Sequence, residues 1–173
     1  MARLFVAVWP PADVLDRIEA LPRLPLAGAR WTTRPQWHVT LRFLGPVDAR
    51  LATAALDRLA AAPTTAVLGP RPRRLGRSVL MVPVAGLDAL AAAVGDATDG
   101  LGEPGGRPYR GHLTLARARL VSVPALDVDI EASWPVEEVA LVESHLHPAG
   151  ARYDTLQTVV LGAPRTPGRA GRR

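Results

Sequence analysis

The first strongly patterned stretch, RLFVAVW (residues 3–9), is an apolar run bounded by Pro10 and Pro11 and predicts a strand. The segment PPADVLDRIEAL then places Val14, Leu15, Ile18 and Leu21 at helical spacing, with prolines suited to a first helical turn. Residues 22–34 are rich in Pro and Gly and read as a loop. QWHVTLRFLG is strand-like, with β-branched and aromatic residues, and closes at Gly45-Pro46. Asp48 is a fitting N-cap for ARLATAALDRLAAA, whose apolar face includes Leu51, Ala55, Leu56 and Leu59. Two strands follow, near residues 65–68 and 78–84, and the link GPRPRRLGR between them reads as partly extended. A third helix is expected over residues 87–101, a loop at EPGGRP and a strand at YRGHLTLARARL. After a weakly patterned stretch, VEEVALVESHLH and RYDTLQTVVLG predict two strands joined by a turn at Pro148-Ala149-Gly150.

This order is strand–helix–strand–helix–strands, then helix–strand–strands, with one His-x-Thr-Leu strand in each half. It predicts an α+β, bilobal and pseudo-symmetric fold: one domain over residues 1–162, followed by a basic, disordered tail at 163–173. The chain has 173 residues, enough to bury a real core.

Composition removes several classes of function. With no cysteine there are no disulfides, thiolate metal sites or Cys nucleophile. The apolar start LFVAVW is too short for a membrane span or a signal sequence and no cleavage site follows, so the expectation is a cytoplasmic protein with no membrane partner. The formal charge of +5 is uneven. Arg165, Arg169, Arg172 and Arg173 in the tail carry most of it; without them 17 Arg face 16 acids. Residues 20–87 hold ten Arg against two acids, a local +8, whereas residues 121–162 hold seven acids against one Arg. One basic flank on a near-neutral body fits an anionic ligand approaching from one side, and equally an Arg-rich solvated surface.

HVTLRF (38–43) and HLTLAR (112–117) carry the chemistry. Side chains alternate along a strand, so His38 and Thr40 share one face, as do His112 and Thr114, while Val39, Leu41, Leu113 and Leu115 point into a core. Two such strands would offer two imidazoles and two hydroxyls to a cleft. In-line displacement at phosphorus needs an acid and a base on opposite sides, and imidazole suits both roles near neutral pH. Hydroxyls can donate to non-bridging oxygens and an arginine can neutralise charge there. A zinc site wants three or four ligands, and neither strand supplies a close third. His145 and His147 also share a strand face and read as exposed or packing residues.

These residues bring out a resemblance. RLFVAVWPP, WHVTLRFLGPV, GHLTLAR and VALVESHLHPAGARYDTL resemble the bacterial and archaeal RNA 2′,3′-cyclic phosphodiesterases, also called 2′-5′ RNA ligases, of the two-histidine phosphoesterase superfamily. The resemblance runs to about Gly162. It implies two antiparallel sheets lining a central cleft, helices outside, and no cofactor or metal; a monomer is expected. It implies hydrolysis of RNA 2′,3′-cyclic phosphate ends to 2′-phosphomonoesters, with reversible 2′-5′ ligation as a second reaction. His38 would be the general acid and His112 the general base. Thr40, Thr114 and Arg117 would bind phosphate, and Phe43 would stack on the terminal base. Apart from the resemblance, the basic segment with Arg71, Arg73, Arg74 and Arg77, together with Arg42, is a candidate RNA-backbone contact if it borders the cleft, and reads equally as an exposed connection. Two departures stand out. Strict alternation puts Arg42 rather than Phe43 or Arg117 beside the motif residues, unless a twist or bulge intervenes. Gly111 also stands where such sequences often have Pro. Two alternatives remain: a phosphodiesterase for a small cyclic phosphate, such as an ADP-ribose cyclic phosphate or a cyclic oligonucleotide, and a non-catalytic RNA-binding module on the same fold.

Overall fold

Alternating and helical apolar patterns resolve into ten strands and three helices over the described residues of the computed structural model, which are 2–23, 25, 28–102, 108–118, 126–147 and 150–162. The expected tail at 163–173 and Pro148 and Ala149 of the expected turn lie outside them. In chain order the elements are β1 (Ala2–Val8), α1 (Ala12–Glu19), β2 (Ala29–Trp31), a 3-10 turn at Arg34–Gln36, β3 (Val39–Val47), α2 (Ala49–Leu56), β4 (Thr64–Leu68), β5 (Arg73–Leu75), β6 (Val79–Ala85), α3 (Asp88–Ala97), β7 (His112–Ala118), β8 (Ala132–Val136), β9 (Glu138–His145) and β10 (Arg152–Val160).

Local chemistry sets the boundaries. Asp48 caps α2 by accepting from the amides of Arg50 and Leu51. Pro11 sits at the N-cap of α1, whose Val14 and Ile18 are buried. Two short elements were not expected. β2 is three residues inside the Pro/Gly-rich stretch, too short to show a period. β8 carries Pro135, which the expected pattern of a strand disfavours; it lies at one end of the sheet, where a missing amide is tolerated.

The strands run in the order β10-β9-β1-β3-β7-β6-β4-β8, with β2 added on β7 and β5 on β6, and every pairing is antiparallel. Along this path four strands lie on each side of the β3–β7 seam, which is a single residue pair, Val39 with Leu113; β2 and β5 add to the β7 side. The result is a curled antiparallel α+β fold of two lobes. One face packs under the helices, where Leu4, Val6, Val39, Leu80 and Leu113 meet Ile18, Leu56 and Val94. The opposite face keeps a smaller cluster, Phe5, Ala7, Ala140 and Val142, flanked by Trp9 and Tyr153. That second face forms the cleft.

Candidate active site

The seam decides where the motif residues point. Val39 and Leu113 are fully buried and paired, so His38, Thr40, His112 and Thr114 face the cleft. Continuing the antiparallel register by one residue each way sets His38 against Thr114 and Thr40 against His112. The two histidines are then diagonal neighbours, at about 7–8 Å between backbones.

The two imidazoles are held in the same way. His38 Nδ1 lies 2.8 Å from the carbonyl of Gln36, and His112 Nδ1 lies 2.7 Å from the carbonyl of Arg110. A carbonyl only accepts, so Nδ1 carries the proton in both rings and Nε2 is left to take or give one. The two motifs thus share a residue type, a strand position and a tautomer.

Their surroundings differ. His38 lies against three aromatic rings: Phe5 at 4.8 Å, Tyr153 at 4.9 Å and Trp9 at 5.5 Å between centroids. Burial pushes its pKa down from the ordinary 6.5 to about 4; the Gln36 carbonyl opposes this, and the charges of Arg117 and His112 add to it. Burial also raises the pKa of the Tyr153 hydroxyl, with Arg117 opposing. A stability prediction follows for His38. Between pH 6.5 and about 4 the unfolded chain binds a proton that the folded chain does not. Stability should therefore fall as pH drops through that window, by no more than about 3 kcal/mol from this residue. Urea midpoints at pH 7 and pH 4.5 should differ more in wild type than in His38→Gln; equal differences would remove the effect.

Two bulges settle the parity of Phe43, Arg42 and Arg117. Along β1–β3, Ala7 pairs with Thr40 but Val6 pairs with Arg42, so Leu41 is an extra residue; Phe5 then pairs with Phe43. Phe5 and Ala7 belong to the cleft face and Val6 to the helix-covered face. Phe43 therefore turns into the cleft, 42 % exposed, with the Arg3 guanidinium 5.6 Å from its ring centre. Along β6–β7, Met81 pairs with Thr114 and Leu80 with Ala116, which makes Leu115 the extra residue and returns Arg117 to the cleft. Arg117 Nη2 donates to Thr114 Oγ1 at 3.4 Å. Each bulge falls three residues after its histidine, so Phe43 and Arg117 occupy equivalent positions in the two lobes. Because β3 and β7 are antiparallel, they lie at opposite ends of the histidine pair.

The arginines of the expected RNA track lie on different faces. Arg42 faces the helices, where its guanidinium donates to the carbonyls of Gly95 (2.6 Å) in the last turn of α3 and of Leu101 (3.2 Å) beyond it. Arg71 pairs with Asp127 at 3.1 Å and with Asp129. Arg74 pairs with Leu80, on the helix-covered face, and Arg77 sits in the turn between β5 and β6. Only Arg73, opposite Met81 and thus in line with Thr114, shares the cleft face. His145 lies 3.1 Å from Asp154 and 3.7 Å from Glu143, and among the described residues no cluster of three or more His, Asp or Glu fits a metal ion.

Sequence reading did not single out Phe5, Trp9 and Tyr153. The i, i+2, i+4 spacing of Phe5, Ala7 and Trp9 was a visible signal, whereas Tyr153 comes close only through the fold. Gly111 has a structural reason: a Cβ there would fall 2.2 Å from the Val84 carbonyl oxygen, and the Gly111 carbonyl accepts from Val84 N at 2.9 Å. Neither alanine nor proline fits that approach. Gly111→Ala should cost about 1–3 kcal/mol and lower turnover by shifting His112; a melting point within a degree of wild type would contradict this.

Comparison with known proteins agrees with this geometry. A family model described as LigT like Phosphoesterase matches residues 8–67, which holds the first motif strand. The crystal structure of TT0787 from Thermus thermophilus is 31 % identical, with a TM-score of 0.74 over 91 % of this chain and 97 % of that one. The chain belongs to the LigT-like phosphoesterases. These form part of the two-histidine phosphoesterase superfamily. Escherichia coli LigT complexed with 3′-AMP is 26 % identical, with a TM-score of 0.74 over 94 % of this chain and 99 % of that one. The phosphodiesterase (PDE) domain of MHV ns2, at 18 % identity and a TM-score of 0.59 over 82 % and 99 %, shares the fold. No curated protein sequence matches the chain. Among the described residues, no helix is long and apolar enough to cross a membrane.

Proposed function

We propose that this LigT-like phosphoesterase hydrolyses RNA 2′,3′-cyclic phosphate ends to 2′-phosphomonoesters by acid–base catalysis between His38 and His112, and that it needs no metal. One observation carries the reading: two imidazoles on adjacent strands, each with Nδ1–H bonded to the carbonyl two residues earlier and Nε2 left for the cleft. Water oxygen attacks phosphorus as one imidazole takes its proton. The bond from phosphorus to the 3′ oxygen breaks, and the other imidazole protonates that oxygen. Thr40, Thr114 and Arg117 face the non-bridging oxygens, and Phe43 offers an exposed ring to the terminal base. E. coli LigT has been crystallised with 3′-AMP and with ATP, which supports a nucleotide in this cleft.

A short RNA ending in a 2′,3′-cyclic phosphate, incubated in EDTA, should yield the 2′-phosphomonoester. A 3′-phosphate product, a requirement for metal or an unchanged substrate would overturn the proposal. A second reading, a small cyclic phosphate as substrate, draws on the dispersal of the basic run: Arg71 is paired and Arg74 faces away. Salt titration separates the two. If RNA is bound, Arg73→Ala should flatten the salt dependence of its binding by about one phosphate contact, and Arg74→Ala should leave it as in wild type. Equal slopes for RNA and a cyclic mononucleotide would favour the second reading.

A further inference from the structure

Beside the histidine pair, on the Arg117 side, lies a cavity of about 690 Å³. Its walls include Arg30 and Arg117, Gln36, and Leu146, Gly150 and Tyr153 from the β9–β10 hairpin. The size suits a nucleotide, since small-ligand sites span about 300–1,000 Å³. Arg30 is the direct cross-strand partner of Arg117 on β2–β7. Both residues line the cavity, where a phosphate lying between them would meet two guanidinium forks. The hairpin closes over this spot: Gln36 Nε2 donates to the Ala151 carbonyl at 2.7 Å. Gly150, at φ +120, passes so near that a Cβ would lie 2.8 Å from Gln36 Nε2 and 3.4 Å from Arg30 Nη1. Leu146, 80 % exposed, gives the cavity an apolar rim.

We infer that this cavity is the subsite for the penultimate nucleotide of an RNA substrate. The phosphodiester joining the last two nucleotides sits between Arg30 and Arg117, and the penultimate base lies against Leu146. This rests on the reaction proposed above. The direction follows from the strands: with the terminal base on Phe43 at one end of the histidine pair, the chain leaves at the other end, where Arg117 and Arg30 stand. The same anion chemistry could come from a 5′-phosphate on a mononucleotide, so the test includes one.

Three substrates are compared: cytidine 2′,3′-cyclic phosphate, its 5′-phosphorylated form, and the dinucleotide adenylyl-cytidine ending in a 2′,3′-cyclic phosphate. In wild type, kcat/KM for the dinucleotide should exceed that for the first by about tenfold or more, from a charge-assisted phosphate contact together with the penultimate base against Leu146, and the base should place it above the second as well. Arg30→Gln should bring the dinucleotide-to-mononucleotide ratio close to one. Arg58→Gln, which removes an arginine from just beyond α2, should keep the wild-type ratio. Equal values in wild type, a 5′-phosphate effect as large as the dinucleotide's, or an Arg30→Gln variant that keeps the ratio would overturn the subsite. Calorimetry on His112→Ala with the 2′-phosphate products reads the same ratio without catalysis. A Kd ratio that depends on Arg30 in a protein that hydrolyses none of the three would retain the subsite and remove the proposed reaction. Hydrolysis of all three with no dependence on Arg30 would do the reverse.

Discussion

Alanine at either His38 or His112 is expected to lower turnover of an RNA 2′,3′-cyclic phosphate by about 10²–10⁴, with far-ultraviolet circular dichroism unchanged. Each ring supplies one of the two proton transfers in the displacement. Thr40→Ala and Thr114→Ala should cost less, because each removes one donor to the phosphate while both proton carriers remain. Near-wild-type turnover in either histidine variant would refute the acid–base assignment.

The same variants read out the direction of proton transfer. A bell-shaped profile of kcat/KM does not do so, because exchanging acid and base between two groups gives the same curve. With His112 removed, the residual rate reports His38 alone. In the free site His38 loses its proton near pH 4, chiefly through burial among Phe5, Trp9 and Tyr153. A phosphate anion seated beside it adds an attraction that opposes the repulsion from Arg117 and His112, and so raises that value. For His38 as the acid, the residual rate of His112→Ala should fall as pH rises. The falling limb should also stand at higher pH in kcat than in kcat/KM. A residual rate that rises through pH 4 and then levels would exchange the two roles.

The duplicated His-x-Thr-Leu was legible because residue type and a spacing of two are enough to place a side chain on a strand face. What alternation could not supply was the parity beyond Leu41 and Leu115. Each is extra only relative to its partner strand, β1 in one lobe and β6 in the other. Strict alternation therefore sent Arg42 to the cleft, whereas its guanidinium holds carbonyls at and just after the C-terminal turn of α3. The fold disperses the basic run between residues 71 and 77: its neighbours Arg73 and Arg74 face opposite sides of β5, and Arg71 meets Asp127 from a segment 56 residues away. Tyr153 lies on the expected β9–β10 hairpin and Arg30 on the unexpected β2, and no local pattern announces that either residue reaches the site. The lobes themselves were legible, since the helices and most strands carry strong apolar periods.

Trp37→Ala should be the most damaging core substitution near the site, at about 3–5 kcal/mol. Trp37 is 1 % exposed and stands directly before His38. Its indole N–H donates to Thr32 Oγ1 at 3.0 Å. The Thr32 hydroxyl in turn lies 2.7 Å and 2.9 Å from the carbonyls of Thr114 and Leu115, and Thr32 N donates to Leu115 O at 2.8 Å. The lobes share one ladder pair at the seam, so this chain of bonds is a second tie between the two motif strands, and it ends on the bulge that aims Arg117. Removing the indole opens a cavity and releases Thr32 together. Trp37→Phe separates the two effects: it keeps most of the volume and loses only the N–H, at about 1 kcal/mol. Urea midpoints should rank wild type, Trp37→Phe and Trp37→Ala in that order. If the tie positions the site, kcat in Trp37→Phe should drop by more than its small loss of stability explains, with KM for the cyclic phosphate moving less. A Trp37→Ala variant within about 1 kcal/mol of wild type would show that the seam does not depend on this residue.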